Sequence, residues 1–124
     1  MLGGFQPTTA TAISAAGACV VTLAADQFTH YYLKGYVVTA SGATSGLQVD
    51  FTITGLMGGT ITNAFVFPAG VLLQATPLIV MFDEPIAATA QNIAIVATLP
   101  TGGGGNTRAT VTLIHYPRLS PKRA

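Results

Sequence analysis

The chain has 124 residues, only 7% of them Asp, Glu, Lys or Arg, and a formal net charge of +1. That length suits one domain with one core, and the near-neutral balance excludes long-range steering of nucleic acid or acidic substrates. Ordinary soluble domains carry about 25% charged residues, so a surface this poor in charge predicts cover by other chains.

The chain opens with Met1 to Gly17, "MLGGFQPTTATAISAAG", which has small residues, Pro7 and no sustained period. This predicts an extended arm, with Leu2 and Phe5 as apolar anchors for a neighbour, or else an ordinary frayed terminus. No Lys or Arg precedes Lys34, so the basic start of a signal peptide is absent.

From Ala18 onward, strand-like runs alternate with turn residues. "ACVVTLAA" (Ala18 to Ala25) is followed by "HYYLKGYVVTA" (His30 to Ala40) and "LQVDFTITGL" (Leu47 to Leu56). In the third run Leu47, Val49, Phe51 and Ile53 share one face, a period of two that predicts a buried side. "TITNAFVFP" (Thr60 to Pro68), "VLLQA" (Val71 to Ala75) and "LIVMFDE" (Leu78 to Glu84) come next. "PIAATAQ" (Pro85 to Gln91) is too short for a helix and predicts a loop. "NIAIVATLP" (Asn92 to Pro100) and "RATVTLIHY" (Arg108 to Tyr116) complete roughly eight strands, enough for two four-stranded sheets. The fold class is therefore all-β, a two-sheet β-sandwich over residues 18–116. An arm (1–17) precedes it and a short basic tail (117–124) follows, the tail carrying Arg118, Lys122 and Arg123.

No run of about 18 apolar residues predicts a transmembrane helix. Cys19 lies in an apolar strand and reads as a small buried hydrophobe; one cysteine makes no internal disulfide, which fits an intracellular origin.

Gly102 to Gly105 precede Asn106-Thr107-Arg108 and a strand, without the Gly-Lys-Ser/Thr and helix that a phosphate loop needs. The run predicts a connection between neighbouring strands, with glycines supplying positive φ. Asp83 and Glu84 are strand neighbours pointing to opposite faces, one to solvent and one to a partner such as Arg108 or Arg118. His30 and His115 find no third ligand at metal-site spacing. No serine has a nucleophile-elbow setting, so nothing supports an enzyme or a cofactor. Tyr31, Tyr32 and Tyr36 offer a sugar- or base-stacking surface, although tyrosine is also favoured at subunit interfaces.

"PLIVMFDEPIAATAQNIAIVATLPTGGGGNTRATVTLIHYPR" (Pro77 to Arg118) has a distinctive skeleton. A strand ends in Phe82, and Pro85-Ile86-Ala87 turns. Asn92, Ile93-Ala94-Ile95 and Leu99-Pro100 follow, then a glycine tip and a last strand to Tyr116. With "YYLKGYVVTASGAT" and "VDFTITGL", this pattern resembles small structural proteins of tailed bacteriophages that decorate or cement the capsid, over about Phe28 to Arg118. It departs from them at Pro117 and in its four glycines. The resemblance implies a jelly-roll-like sandwich, a homotrimer, binding to the major capsid protein, and a place on the virion exterior after synthesis in the host cytoplasm. Other implied positions are neck, tail or head fibre; a carbohydrate-binding module is the reading from a different class. Neither a membrane nor a specific nucleic acid is an expected partner.

Overall fold

In the computed structural model, residues 8–15, 17–43, 46–69, 77–102 and 105–119 are described. They form eight strands: β1 (Thr8–Ala15), β2 (Cys19–Leu23), β3 (Thr29–Ala43), β4 (Leu47–Thr54), β5 (Ile61–Phe67), β6 (Leu78–Ala87), β7 (Ile95–Leu99) and β8 (Gly105–Leu119). Two four-stranded sheets result, in the orders β1-β8-β3-β6 (sheet I) and β2-β7-β4-β5 (sheet II). All pairings are antiparallel. The first strand pairs with the last, β2 with β7, β3 with β6 and β4 with β5. Only the β4–β5 connection joins hydrogen-bonded neighbours in sequence, and the other connections cross between sheets. This is the jelly-roll arrangement.

Alternation builds the core. Val21 and Leu23, Phe51 and Ile53, Phe65 and Phe67, Ile95 to Leu99 at every second residue, and Val111 and Leu113 all turn inward and are buried. Tyr36 lies among them, its ring 5.3 Å from Phe51 and 6.1 Å from Phe82. Its hydroxyl donates to Asn63 Oδ1 at 2.9 Å, so its one polar atom is satisfied inside the core. Each such side chain contributes about 1.5–3 kcal/mol by leaving water.

The structure redraws several boundaries. Thr8–Ala15, expected in the arm, is a full edge strand of sheet I, paired residue for residue with Arg108 to His115. Its inward positions Ala10 and Ala12 are small because they sit opposite the larger Leu113 and Val111. Strand β8 runs past Tyr116 to Leu119, so Pro117 and Arg118 belong to the sandwich. Pro117 stands opposite Tyr31 of β3 in that extension. Strand β6 continues through Pro85 to Ala87, into the stretch expected to be loop. Leu47, expected inward, is 39% exposed at the start of β4, while Phe51 and Ile53 are fully buried. The expected strand Val71 to Ala75 lies outside the described residues, as do Leu2, Phe5, Lys122 and Arg123.

The glycine run links β7 in sheet II to β8 in sheet I, so it crosses the sandwich instead of closing a hairpin. Gly102 has no positive φ. It is glycine for space: a Cβ there would fall 2.6 Å from the Phe67 ring.

Candidate functional site

An irregularity in sheet I makes the site. Along β3 the pairing with β8 goes from Leu33↔His115 to Gly35↔Ile114, leaving Lys34 as an extra residue. On the other side, Leu33↔Ile86 is followed by Gly35↔Met81, so residues 82–85 of β6 stand opposite Lys34 alone. This is a large β-bulge, the usual way a strand is bent and a side chain re-aimed. Lys34 closes it: its ammonium donates to the carbonyls of Phe82 at 2.6 Å and Asp83 at 3.2 Å, which the bulge takes out of the ladder. Close backbone approach fixes Gly35 beside it, where a Cβ would meet Val80 O and Met81 Sδ at 2.5 Å.

The displaced segment forms one wall of an open groove of about 410 Å³ on the outer face of sheet I, lined by Tyr32, Lys34, Asp83, Pro85, Tyr116 and Arg118. Tyr32 and Tyr116 are direct cross-strand partners and half-buried. The Tyr32 ring is backed by His30, with centroids 4.8 Å apart and planes tilted by 38°. His30 is itself held by a hydrogen bond between its Nε2 and Ala88 O at 3.0 Å. On the other side Arg118 Cζ lies 5.8 Å from the Tyr32 centroid, in cation–π range. Thus Tyr32 is fixed on both flanks, and the groove presents two aromatic rings between a carboxylate and a guanidinium.

The three tyrosines expected to share a surface are separated. Tyr32 and Tyr36 have the same parity, so a regular strand would place both outward. The extra residue at Lys34 inverts the alternation, and Tyr36 turns into the core, 1% exposed. Tyr31 faces inward at the sandwich end, its ring edge-on to His115 at 5.6 Å and its hydroxyl donating to Ala24 O at 2.9 Å. Burial, then the nearby Asp26 charge, pushes its phenol above the ordinary value. Of the predicted partner-binding residues, Tyr32 and Arg118 meet in the groove, and Tyr31 and Tyr36 do not. Asp83 and Glu84 are both exposed, and Asp83 lines the groove together with Arg118.

Tyr116, Asp83 and Pro85 were not foreseen as site residues. The signal for Tyr116 is the aromatic residue in "IHYP", which the antiparallel register sets opposite Tyr32 of "HYY". Cys19 is buried; its thiol donates to Ala12 O at 3.2 Å across the sheets, and burial pushes its pKa up. Among the described residues no group of three or more His, Cys, Asp or Glu is placed to hold a metal ion.

No family model matches the sequence, and no curated protein matches it. Among solved structures, the chain is similar to the carbohydrate-binding module CBM36 in complex with calcium and xylotriose. The identity is 20% and the TM-score 0.34, over 84% of this chain and 76% of that one.

Proposed function

We propose that this jelly roll is a structural virion protein that decorates the outside of a capsid and stabilises its lattice, without catalysis. The observation that carries the reading is the chemistry of the two outer sheet faces. Sheet I presents Thr9, Thr11, Ile13, Val37, Thr39, Thr110, Thr112, Ile114, Ile79 and Met81, while the charged residues of its strands are Lys34, Asp83, Glu84, Arg108 and Arg118 among the described residues. Sheet II presents Val20, Thr22, Thr52, Thr54, Thr62, Val66, Val96 and Thr98, with Asp50 as the charge among its strands. Broad apolar and hydroxyl surface of this kind suits packing against other subunits better than life as a dilute monomer. The resemblance of Pro77 to Arg118 to capsid-decorating proteins points the same way. Binding the assembled lattice but not its separated subunits would favour the assembled state by mass action, and a trimer engaging several sites would turn weak contacts into strong attachment. Co-sedimentation with assembled capsids, but not with free capsid protein, is the expected result; absence from purified virions by mass spectrometry would remove the reading.

A second reading is favoured by a separate observation, the register-paired Tyr32 and Tyr116 in a groove. On that reading the domain binds a saccharide, as a free-standing module or as a virion component that meets a glycan surface. Glycan-array binding lost on Tyr116→Ala is the expected result, and a blank array counts against it.

A further inference from the structure

We infer that copies of this chain join head to tail through the edges of sheet I, β1 of one copy lying antiparallel beside β6 of the next, in a closed ring. This contact is independent of whether the assembly meets a capsid or a glycan. Sheet I ends in β1 and β6, whose outer edges meet no further strand among the described residues. An edge carries a row of unpaired N–H and C=O groups, and edges that stay single are blunted by charge, proline, a bulge or shortness. Strand β1 has none of these: Thr8–Ala15 is eight residues without charge or proline, in unbroken register with β8. Strand β6 is blunted only in part. Residues 82–85 bulge and carry Asp83, Glu84 and Pro85, whereas Leu78 to Met81 is regular and uncharged.

Exposed apolar side chains lie on these same two edges. Ile13 is on β1, while Ile79 and Met81 are on β6; Ile13 and Ile79 are the two most exposed large apolar side chains among the described residues. A two-fold contact of β1 with its own copy would cover Ile13 and leave Ile79 and Met81 in water. A heterologous contact covers both edges at once. Strand direction permits it. Four antiparallel strands leave β1 and β6 running in opposite directions. Rotation about an axis along the strands therefore sets β1 of the next copy antiparallel to β6, and the ladder continues unchanged. Ile13 then falls among the cross-strand neighbours of Ile79 and Met81 on the outer face. Heterologous contacts either close or run on as filaments, and closure leaves neither edge open. Sheet II offers less: β2 is five residues long, and the side chains exposed on its edge strands are the smaller Val20 and Val66.

The test is disulfide trapping in the full chain carrying Cys19→Ser, so that no native thiol competes. Thr11→Cys or Ile13→Cys is combined with Ile79→Cys or Met81→Cys. These double variants sample neighbouring registers, because a disulfide needs Cβ atoms about 3.5–4.5 Å apart. Each variant is first shown to be folded by its far-ultraviolet spectrum in the reduced state. After mild oxidation at least one double variant should run on a non-reducing gel as a ladder that stops at a closed ring, three chains for the expected trimer. The single variants should stay uncross-linked, and an Ile13→Cys chain mixed with an Ile79→Cys chain should give a covalent pair. Val20→Cys combined with Val66→Cys, on sheet II, should give no ladder. A single β1 variant that cross-links to itself overturns the inference in favour of a two-fold contact. A ladder without an end, a ladder through sheet II alone, or none in any folded double variant overturns it too.

Discussion

His115 is the polar group that the core accommodates least well. Its side chain is buried in β8, edge-on to Tyr31, and among the described residues its Nδ1 has no hydrogen-bond partner. Burial lowers its pKa from the ordinary 6.5. The folded state thus resists a proton that the unfolded chain accepts. Stability should be level above about pH 6.5 and fall as the pH drops below it, because the unfolded state then binds more protons. His115→Phe keeps a ring against Tyr31 and removes the titration, so its urea midpoint should change less between pH 7 and pH 5.5. Parallel declines in both proteins would acquit His115. Phe51 and Thr52 give a second contrast, since adjacent side chains face opposite ways. Phe51 is fully buried against Tyr36 and Thr52 is half-exposed on the outer face. Phe51→Ala should cost about 3–5 kcal/mol in equilibrium denaturation and Thr52→Ala far less; equal losses would mean that the outer face of β4 is also covered.

At the scale of the strand, the bulge at Lys34 and the edge strand β1 separate what could be read from what could not. Runs with strong alternation, β4 above all, announced their inward residues because large apolar and polar side chains contrast at every step. Strand β1 gave no such contrast: Ala10 and Ala12 are inward and small, Thr9 and Thr11 outward and scarcely more polar, so "TTATAISA" looked like an arm. What the sequence implies for deletion changes accordingly. An arm of residues 1–17 could be removed with the sandwich intact, but β1 supplies the whole outer neighbour of β8. Deleting residues 1–15 should therefore lower the midpoint of thermal unfolding sharply, whereas deleting 1–7 should be mild; equal midpoints would return β1 to the status of an arm. The groove was illegible for a different reason. One extra residue inverts a strand's facing, and neither that slip nor the meeting of Tyr32 with Tyr116 is local in sequence. Gly35 marks the place, and Gly35→Ala, meeting backbone at Val80 O, should cost about 1–3 kcal/mol and disturb the groove at the same time.

For the whole molecule the governing question is what covers the faces. With 7% charged residues, the chain has little electrostatic protection against self-association, so association should be specific and closed. The larger apolar side chains sit on sheet I, where Ile13, Ile79 and Met81 are 68%, 63% and 52% exposed. Sheet II offers the smaller Val20 and Val66, interspersed with threonine. The part of sheet I around Ile13 and Ile79 is therefore the surface expected to be buried between copies, which would leave the Tyr32–Tyr116 groove open at the other end of that sheet and sheet II for a capsid or other partner. The expected assembly is a trimer, and light scattering at micromolar concentration should give three times the 12.6 kDa chain mass. Because the contact is apolar, added salt should not dissolve it, in contrast to an interface built from exposed charge pairs. Ile13→Lys and Ile79→Lys place charge on sheet I without touching the core and should release folded monomers, as seen by an unchanged far-ultraviolet spectrum. Val66→Lys should leave the trimer whole. The reverse pattern would exchange the roles of the two sheets, and a monomeric wild-type chain would remove the trimer altogether.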